Sequence, residues 1–236
     1  MHFWFAHRRL NDTVRPEAAL SAVERDRADR FHFSNNRLDF EFAHTVLRDV
    51  LSGYLCCSPE EIGLGENAFG KPFIDGTHRD GKIEFNLSHA GSLVLIGLCR
   101  ELRIGVDVEE IRPVDDLLAI VKACFTPREC AFFLDRKVAD RPRAFLRCWT
   151  SIEGCVKAIG RGLSFPLNSF DMQISLIESS GFVSRLEDST ATGWQIAELR
   201  APDGYVASVA VESHLERLVY FEWQSEVSKE RAQSPQ

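Results

Sequence analysis

Arg103-Ile104-Gly105-Val106-Asp107-Val108-Glu109-Glu110 decides how this chain is read, because the two-residue period of a strand sorts it into chemically opposite faces. Ile104, Val106 and Val108 share one side and are predicted to go inward, while Gly105, Asp107 and Glu109 share the other. Two acids on one strand face, with no basic residue between them, repel unless they are well solvated or share a cation. A hard divalent metal ion is the natural candidate for such carboxylates. The competing reading is an edge strand whose acidic face lies in water. These residues alone leave both open.

A second stretch bears on that choice. In Phe145-Leu146-Arg147-Cys148-Trp149-Thr150-Ser151-Ile152-Glu153-Gly154-Cys155-Val156-Lys157-Ala158-Ile159-Gly160, the residues Phe145, Cys148, Trp149, Ile152 and Val156 keep helical spacing and form one apolar stripe. Glu153 and Lys157 sit one turn apart at its border, where they can face a shared cleft. The plainer alternative is an exposed i,i+4 pair contributing a few tenths of a kcal/mol.

Working outward, His2 to Ala6 reads as a strand, and Pro16 opens an Ala- and Leu-containing segment predicted to run as a helix to about Arg30. After Asn35-Asn36, which can cap, Phe40, Ala43, His44, Leu47, Leu51 and Tyr54 keep helical spacing. Ser58-Pro59-Glu60-Glu61 has capping-box spacing. A Gly-rich turn leads to Gly70-Lys71-Pro72-Phe73. Residues 83–87, 93–100 and 103–109 read as strands, the last two joined tightly enough for a hairpin. Helical patterns follow at 115–125, 127–135 and 141–159, then a Gly/Pro segment at 160–166. Strands are predicted near 170–177, 194–199, 205–211 and 218–223. Helices, a Gly/Pro turn and a sheet thus occur twice. The expected division is 1–103, 104–224 and a polar tail at 225–236. No Pro/Gly/Ser-rich linker separates the halves, so they should pack directly, with the acidic strand near the junction, where clefts form.

The chain has 236 residues, 44% of them hydrophobic, enough to bury a full core as one domain or two small ones. Residues 1–10 hold a short apolar run broken by His2, His7, Arg8 and Arg9, too short for a signal sequence, and no later stretch approaches a membrane span. A soluble, cytoplasmic protein is expected. The seven cysteines show no Cys-x-x-Cys or clustered Cys/His spacing and read as reduced thiols, mostly core filler such as Cys148, rather than zinc ligands. A net charge of −7 argues against a nucleic-acid partner, which demands a basic surface. Between Ile111 and Gly160, however, Lys and Arg outnumber Asp and Glu by nine to six. Such a patch can steer an acidic protein partner or simply be a solvated helical surface.

Taken together, Gly70-Lys71-Pro72, Phe85-Asn86-Leu87-Ser88-His89, Ile104-Gly105-Val106-Asp107-Val108-Glu109 and Trp149-x-x-x-Glu153-x-x-x-Lys157-Ala158-x-Gly160-x-Gly162-Leu163 occur in one order. In these motifs the chain resembles the 4′-phosphopantetheinyl transferases of the larger, pseudo-dimeric kind, the type of the surfactin-synthetase activator, over roughly residues 24–210. The resemblance implies an α+β fold of two similar halves related by a pseudo-two-fold, each a small, mainly antiparallel sheet packed against helices. It also implies coenzyme A bound between the halves of a monomer. The implied reaction moves the phosphopantetheine arm of coenzyme A onto a serine of an apo acyl or peptidyl carrier protein and releases adenosine 3′,5′-bisphosphate.

On the same resemblance Asp107, Glu109 and Glu153 match the metal-binding acids, with Mg2+ expected and Mn2+ as the substitute. Glu153 is also the choice for the base that takes the serine proton, with Glu109 or a bound water as alternatives. Lys157 matches the lysine that meets the pyrophosphate, Ser88 and His89 the Ser-His pair at the nucleotide phosphates, and Lys71 and Pro72 the lining of the nucleotide pocket. Arg27, Arg30 and Arg37 are the nearest matches for binding the ribose 3′-phosphate. Asp39 stands where a second basic residue is usual, Ile152 where Lys or Arg precedes the helix glutamate, and Gly154 in place of Ala or Ser, at about 1 kcal/mol of helix propensity. The carrier is expected to dock near Arg128, Arg136, Lys137, Arg141 and Arg143. Two other functions are compatible with clustered acids and a lysine: a metal-dependent nucleotide pyrophosphate hydrolase, for which no Nudix-type run is present, and a non-catalytic binder of carrier protein or coenzyme A.

Overall fold

A computed structural model describes residues 1–8, 19–76, 83–125, 127–162, 170–174, 180–186, 194–212, 215 and 217–225. The first half contains β1 (His2–His7), α1 (Ala22–Asp29), α2 (Ser34–Leu55), a short 3-10 turn (Pro59–Glu61), β2 (Gly63–Glu66), β3 (Pro72–Asp75), β4 (Ile83–Ala90) and β5 (Leu93–Arg100). Then come β6 (Ile104–Glu110), α3 (Leu117–Cys124), α4 (Pro127–Leu134), a 3-10 turn (Val138–Asp140), α5 (Arg141–Ile159), β7 (Phe170–Ile174), β8 (Ser180–Leu186), β9 (Trp194–Glu198), β10 (Tyr205–Glu212) and β11 (Val219–Glu222).

The architecture is α+β, as expected, with two similar halves. One sheet has strand order β11-β1-β5-β4, the other β6-β10-β9-β8-β7, and β2 pairs with β3 as a separate ribbon. Apart from the parallel pairing of β1 with β11, neighbouring strands are antiparallel. Each sheet carries one long helix. Val46, Leu47 and Leu51 of α2 pack with Val94, Ile96 and Leu98 of β5. On the other sheet, Phe145, Cys148, Ile152 and Cys155 of α5 pack with Trp194, Ile196, Val206 and Ala210. Between the sheets, Phe3, Phe5, Leu93 and Leu95 meet Ile104, Val106, Val108 and Val209. Side chains of this size contribute about 1.5–3 kcal/mol each when fully buried, so the sheet-to-sheet layer is the main bond between the halves.

Several local expectations are revised. The predicted hairpin between 93–100 and 103–109 does not form: β5 is already paired on both edges, by β1 and β4, and β6 pairs with β10 in the other sheet. The chain crosses between sheets through Glu101, at φ 59. Helix α1 begins at Ala22, capped by Ser21 with the Glu24 side chain reaching back; the predicted start near Pro16 lies outside the described residues. Asn35-Asn36 lie within the first turn of α2, whose N-cap is Phe33. The capping box at Ser58 and Glu61 is present. Strands β2, β3 and β8 had no sequence counterpart: β2 and β3 are only four residues each, too short to show alternation, and β8 carries no alternating apolar face. The last strand also returns to the first sheet, so residues 104–224 are not confined to one half.

Candidate functional site

Strand β6 is an edge strand of its sheet, yet its acidic face is not in water. Asp107 is 5% exposed, and Gly105, Val106 and Val108 are buried. The cover is α5, and glycine permits it. A Cβ on Gly105 would lie 2.0 Å from the Gly154 carbonyl oxygen and 2.3 Å from the Ala158 nitrogen, so strand and helix touch backbone to backbone only because no side chain intervenes. The solvated-edge reading therefore fails for Asp107.

The free edge of β6 is satisfied by side chains of the first half. Val106 N–H donates to Asn86 Oδ1 at 2.9 Å and Val108 N–H to Ser88 Oγ at 3.3 Å. Asn86 and Ser88 alternate on β4 with the period at which Val106 and Val108 alternate on β6, so two edge strands from different halves are bridged without a ladder. Asn86 stands in the Phe85–His89 motif without an expected role; its signal is the two-residue spacing to Ser88.

Three elements converge on Asp107. Ser88 Oγ donates to Asp107 Oδ1 at 2.8 Å, and Lys157 Nζ donates to the same oxygen at 2.6 Å and to Ser88 Oγ at 2.9 Å. Lys157 makes its ion pair across to the strand rather than along the helix to Glu153. The other carboxylate oxygen, Oδ2, is buried without a hydrogen-bond partner. Glu109 and Glu153 are half-buried. Burial, and then the Asp107 charge, push both above the usual carboxylate range, with Lys157 opposing the rise in each and Arg112 also in Glu109.

Glu153, Val156 and Lys157 line a cleft of about 260 Å³ together with Phe69, Lys71, Pro72, Asn86 and Gly162. The cleft is bounded by the β2–β3 ribbon, β4 and α5, and so lies between the halves. Lys71 contributes its stem, but its ammonium turns away to the carbonyls of Ile104 (3.0 Å) and Ala158 (3.2 Å), and burial lowers its pKa. His89 is exposed near the end of β4, and desolvation by its surroundings lowers its pKa, Asp39 opposing. The arginines proposed for the nucleotide end lie at the α1–α2 corner: Arg27 pairs with Glu66 at 2.6 Å and lies over the Phe40 ring, Arg37 pairs with Asp29 and Glu41, and Arg30 is exposed. Asp39 holds Arg8 at 2.7 Å.

Among the described residues no three His, Cys, Asp or Glu side chains are gathered closely enough to hold a metal. Lys157 supplies the cation at Asp107 instead. The donor chemistry still fits a divalent ion: Asp107 Oδ2 is an orphaned buried acceptor, and the two neighbouring glutamates carry charge that burial and Asp107 disfavour.

At the proposed docking surface, Lys137, Arg143, Leu134 and Val138 are exposed, while Arg136 is half-buried. Arg141 is engaged in its own loop, donating to the Leu134 and Arg136 carbonyls and lying over Phe133. The Arg128 side chain lies outside the described residues. Among the described residues Cys99, Cys148 and Cys155 are buried, Cys57 and Cys130 are half-buried and Cys56 is exposed. No helix among the described residues is long and apolar enough to cross a membrane.

Comparison with known proteins matches these halves to one family. Residues 103–210 match the 4′-phosphopantetheinyl transferase superfamily, and residues 12–100 match the N-terminal portion of 4′-phosphopantetheinyl transferases. Over 194 residues, covering 82% of this chain and 79% of the relative, the chain is 32% identical to the 4′-phosphopantetheinyl transferase HetI of Nostoc sp.. It is 29% identical over 223 residues to a putative 4′-phosphopantetheinyl transferase of Synechocystis sp., covering 88% and 89% of the two chains. With the 4′-phosphopantetheinyl transferase Sfp of Bacillus subtilis it shares 26% identity over 155 residues, 66% of each. Neither the pyrophosphate hydrolase nor the non-catalytic binder finds support in these similarities. The chain belongs to the 4′-phosphopantetheinyl transferase superfamily.

Proposed function

We propose that this protein transfers the 4′-phosphopantetheine arm of coenzyme A to a serine of an apo carrier protein, using the cleft between its halves. The observation that carries the reading is the convergence of Ser88 from β4, Asp107 from β6 and Lys157 from α5 on one buried carboxylate beside that cleft. In the reaction the serine Oγ bonds to the phosphorus bearing the pantetheine arm. The bond from that phosphorus to the bridging oxygen breaks, and adenosine 3′,5′-bisphosphate leaves with that oxygen.

Asp107, Glu109 and Glu153 would hold Mg2+, or Mn2+ in its place. When bound, the ion neutralises phosphate charge that builds during transfer. Glu153 takes the serine proton. A bound cation weakens the basicity of a carboxylate that ligates it, so Glu109 or a bound water is the alternative base. Lys157 places an ammonium where the leaving phosphate gains charge, its stem lining the cleft. Ser88 and His89 stand at the phosphates, Pro72 at the nucleotide side, and Arg27, Arg30 and Arg37 at the ribose 3′-phosphate. The carrier docks on the basic and apolar surface formed by Arg136, Lys137, Leu134 and Val138, with Arg143 at its margin. A cytoplasmic monomer, with its free thiols reduced, completes the reading.

Intact-mass measurement of several apo carrier proteins after incubation with coenzyme A and Mg2+ tests it. Transfer adds the phosphopantetheine mass to the carrier and releases the bisphosphate. Coenzyme A cleavage without any carrier would instead favour a hydrolase, and no reaction with any carrier would sink the proposal.

A further inference from the structure

The turn joining β2 to β3 grips the end of the catalytic helix. Asn67 Oδ1 accepts from the N–H groups of Phe69 and Lys71, both at 2.9 Å, and Gly70 takes φ 83 to close the turn. So organised, the turn aims two side-chain donors at α5. Asn67 Nδ2 donates to the Gly160 carbonyl at 2.9 Å and Lys71 Nζ to the Ala158 carbonyl at 3.2 Å. The last carbonyls of a helix have no partner within it, and a cation there also meets the negative end of the helix dipole. The fit is close: a Cβ on Gly160 would lie 3.1 Å from Asn67 Nδ2 and 3.2 Å from Lys71 Cδ.

The same ammonium donates to Ile104 O at 3.0 Å, on the free edge of β6 where the backbone N–H groups of Val106 and Val108 bond Asn86 and Ser88. One lysine thus ties the start of the acidic strand to the end of the helix that carries Glu153 and Lys157. Elsewhere the strand and helix touch through bare backbone at Gly105, Gly154 and Ala158 and through the Lys157–Asp107 pair itself, while Thr150 and Ser151 bond Ser208 of β10 earlier along the helix. The bonds from Lys71 and Asn67 are thus the ones that hold its C-terminal end from the first half. A slide along the strand would lengthen the contact of Lys157 with Asp107, which lie 2.6 Å apart. We propose that Lys71 and Asn67 are positioning residues: they fix α5 against β6, and through it Glu153 and Lys157 against Asp107, rather than binding the nucleotide. This inference rests on the transferase reading and replaces the nucleotide-pocket role expected of Lys71.

The test compares wild type with Lys71→Met, Lys71→Gln and Asn67→Asp. Gln keeps an N–H donor without charge, and Asp keeps the acceptor that shapes the turn while losing the donor to Gly160. Positioning predicts that Lys71→Met and Asn67→Asp lower kcat about tenfold or more while the coenzyme A KM stays within about twofold, with partial recovery in Lys71→Gln. It also predicts an unchanged salt dependence of coenzyme A binding and faster amide exchange over residues 155–160. A coenzyme A KM raised about tenfold at unchanged kcat, with a flattened salt dependence, would overturn the inference and make Lys71 a phosphate ligand. If Lys71→Met fails to fold, Lys71→Gln and Asn67→Asp decide the matter alone. A wild type that modifies no apo carrier would refute the transferase reading; amide exchange and coenzyme A affinity would then still decide whether Lys71 positions α5.

Discussion

Lys157 Nζ stands 2.6 Å from Asp107 Oδ1, joining residues 50 apart in sequence, and Ser88 of the first half donates to the same oxygen, so a buried carboxylate of β6 is the meeting point of both halves. The carboxylate keeps one buried oxygen without a partner. That asymmetry fits a site that is completed by a ligand cation.

Asp107→Ala and Glu109→Ala are expected to fold yet lose transfer by at least about a hundredfold. Wild type should gain thermal stability with added Mg2+, and Asp107→Ala should not, because the orphaned oxygen is gone. Thermal melts with and without Mg2+, alongside turnover, check this. Unchanged turnover in both variants would refute the metal assignment.

Glu153→Gln should abolish transfer while leaving Tm near wild type or above it, since a half-buried carboxylate disfavoured by Asp107 is replaced by a neutral amide. Lys157→Ala should slow the chemical step more than it weakens coenzyme A binding. It should also destabilise the fold, by about 1–3 kcal/mol, because Asp107 is left buried without its cation. Single-turnover kinetics and denaturant titration separate the two effects. If Lys157→Ala raised only the coenzyme A KM, its role would be uniform binding.

The two glycines at the strand-helix contact should respond oppositely. Gly105→Ala puts a methyl 2.0 Å from a backbone oxygen and is expected to cost about 3 kcal/mol or more, with transfer impaired as α5 is pushed away. At Gly154 the added Cβ would meet its nearest neighbour at 3.6 Å, so Gly154→Ala should stabilise by about 0.5–1 kcal/mol through helix propensity. Urea unfolding of both variants measures it, and equal destabilisation would contradict the contact described.

Glu24 gives a pH signature of stability. Burial would raise its pKa, but hydrogen bonds from His44 and Ser21, together with the Arg48 charge, bring it down to about 2. A carboxyl whose folded pKa is depressed stabilises above its unfolded pKa, near 4.5, and loses that contribution as pH falls toward 2. Glu24→Gln should therefore cost on the order of 2–3 kcal/mol at pH 7, the difference from wild type shrinking between about pH 4.5 and 2. Unfolding titrations across that range check it, and a difference independent of pH would contradict the ion-pair account.

Reversal of Arg136 and Lys137 to Glu should lower kcat/KM for the carrier several-fold at low salt, with the coenzyme A KM near wild type, because rim charges act mainly on encounter and are screened by salt. Carrier titrations at two ionic strengths distinguish the outcomes. Identical salt dependence in both proteins would remove these residues from the docking surface.

The motifs could be read in the sequence because their periods are local. Alternation marked Ile104, Val106 and Val108 against Gly105 and Asp107, and helical spacing placed Glu153 and Lys157 on one border of an apolar stripe. Both patterns follow from backbone geometry that every residue of a strand or helix shares. The limits of α3, α4 and α5 fell within a residue or two of expectation for the same reason.

What the sequence determined by itself is therefore the type of each long element, the face its apolar residues bury, and the resemblance carried by its ordered motifs. Only the tertiary structure decided that β6 leaves β5 for β10, that Asn86 and Ser88 close its free edge, that Lys157 turns to Asp107 rather than Glu153, and that Lys71 grips α5. Each of these depends on which groups from distant segments are left unpaired when two sheets and two helices pack together. A strand accepts a neighbour only on an edge not yet taken, and a buried carbonyl or carboxylate takes whichever donor the fold brings within reach; neither condition leaves a period in the chain.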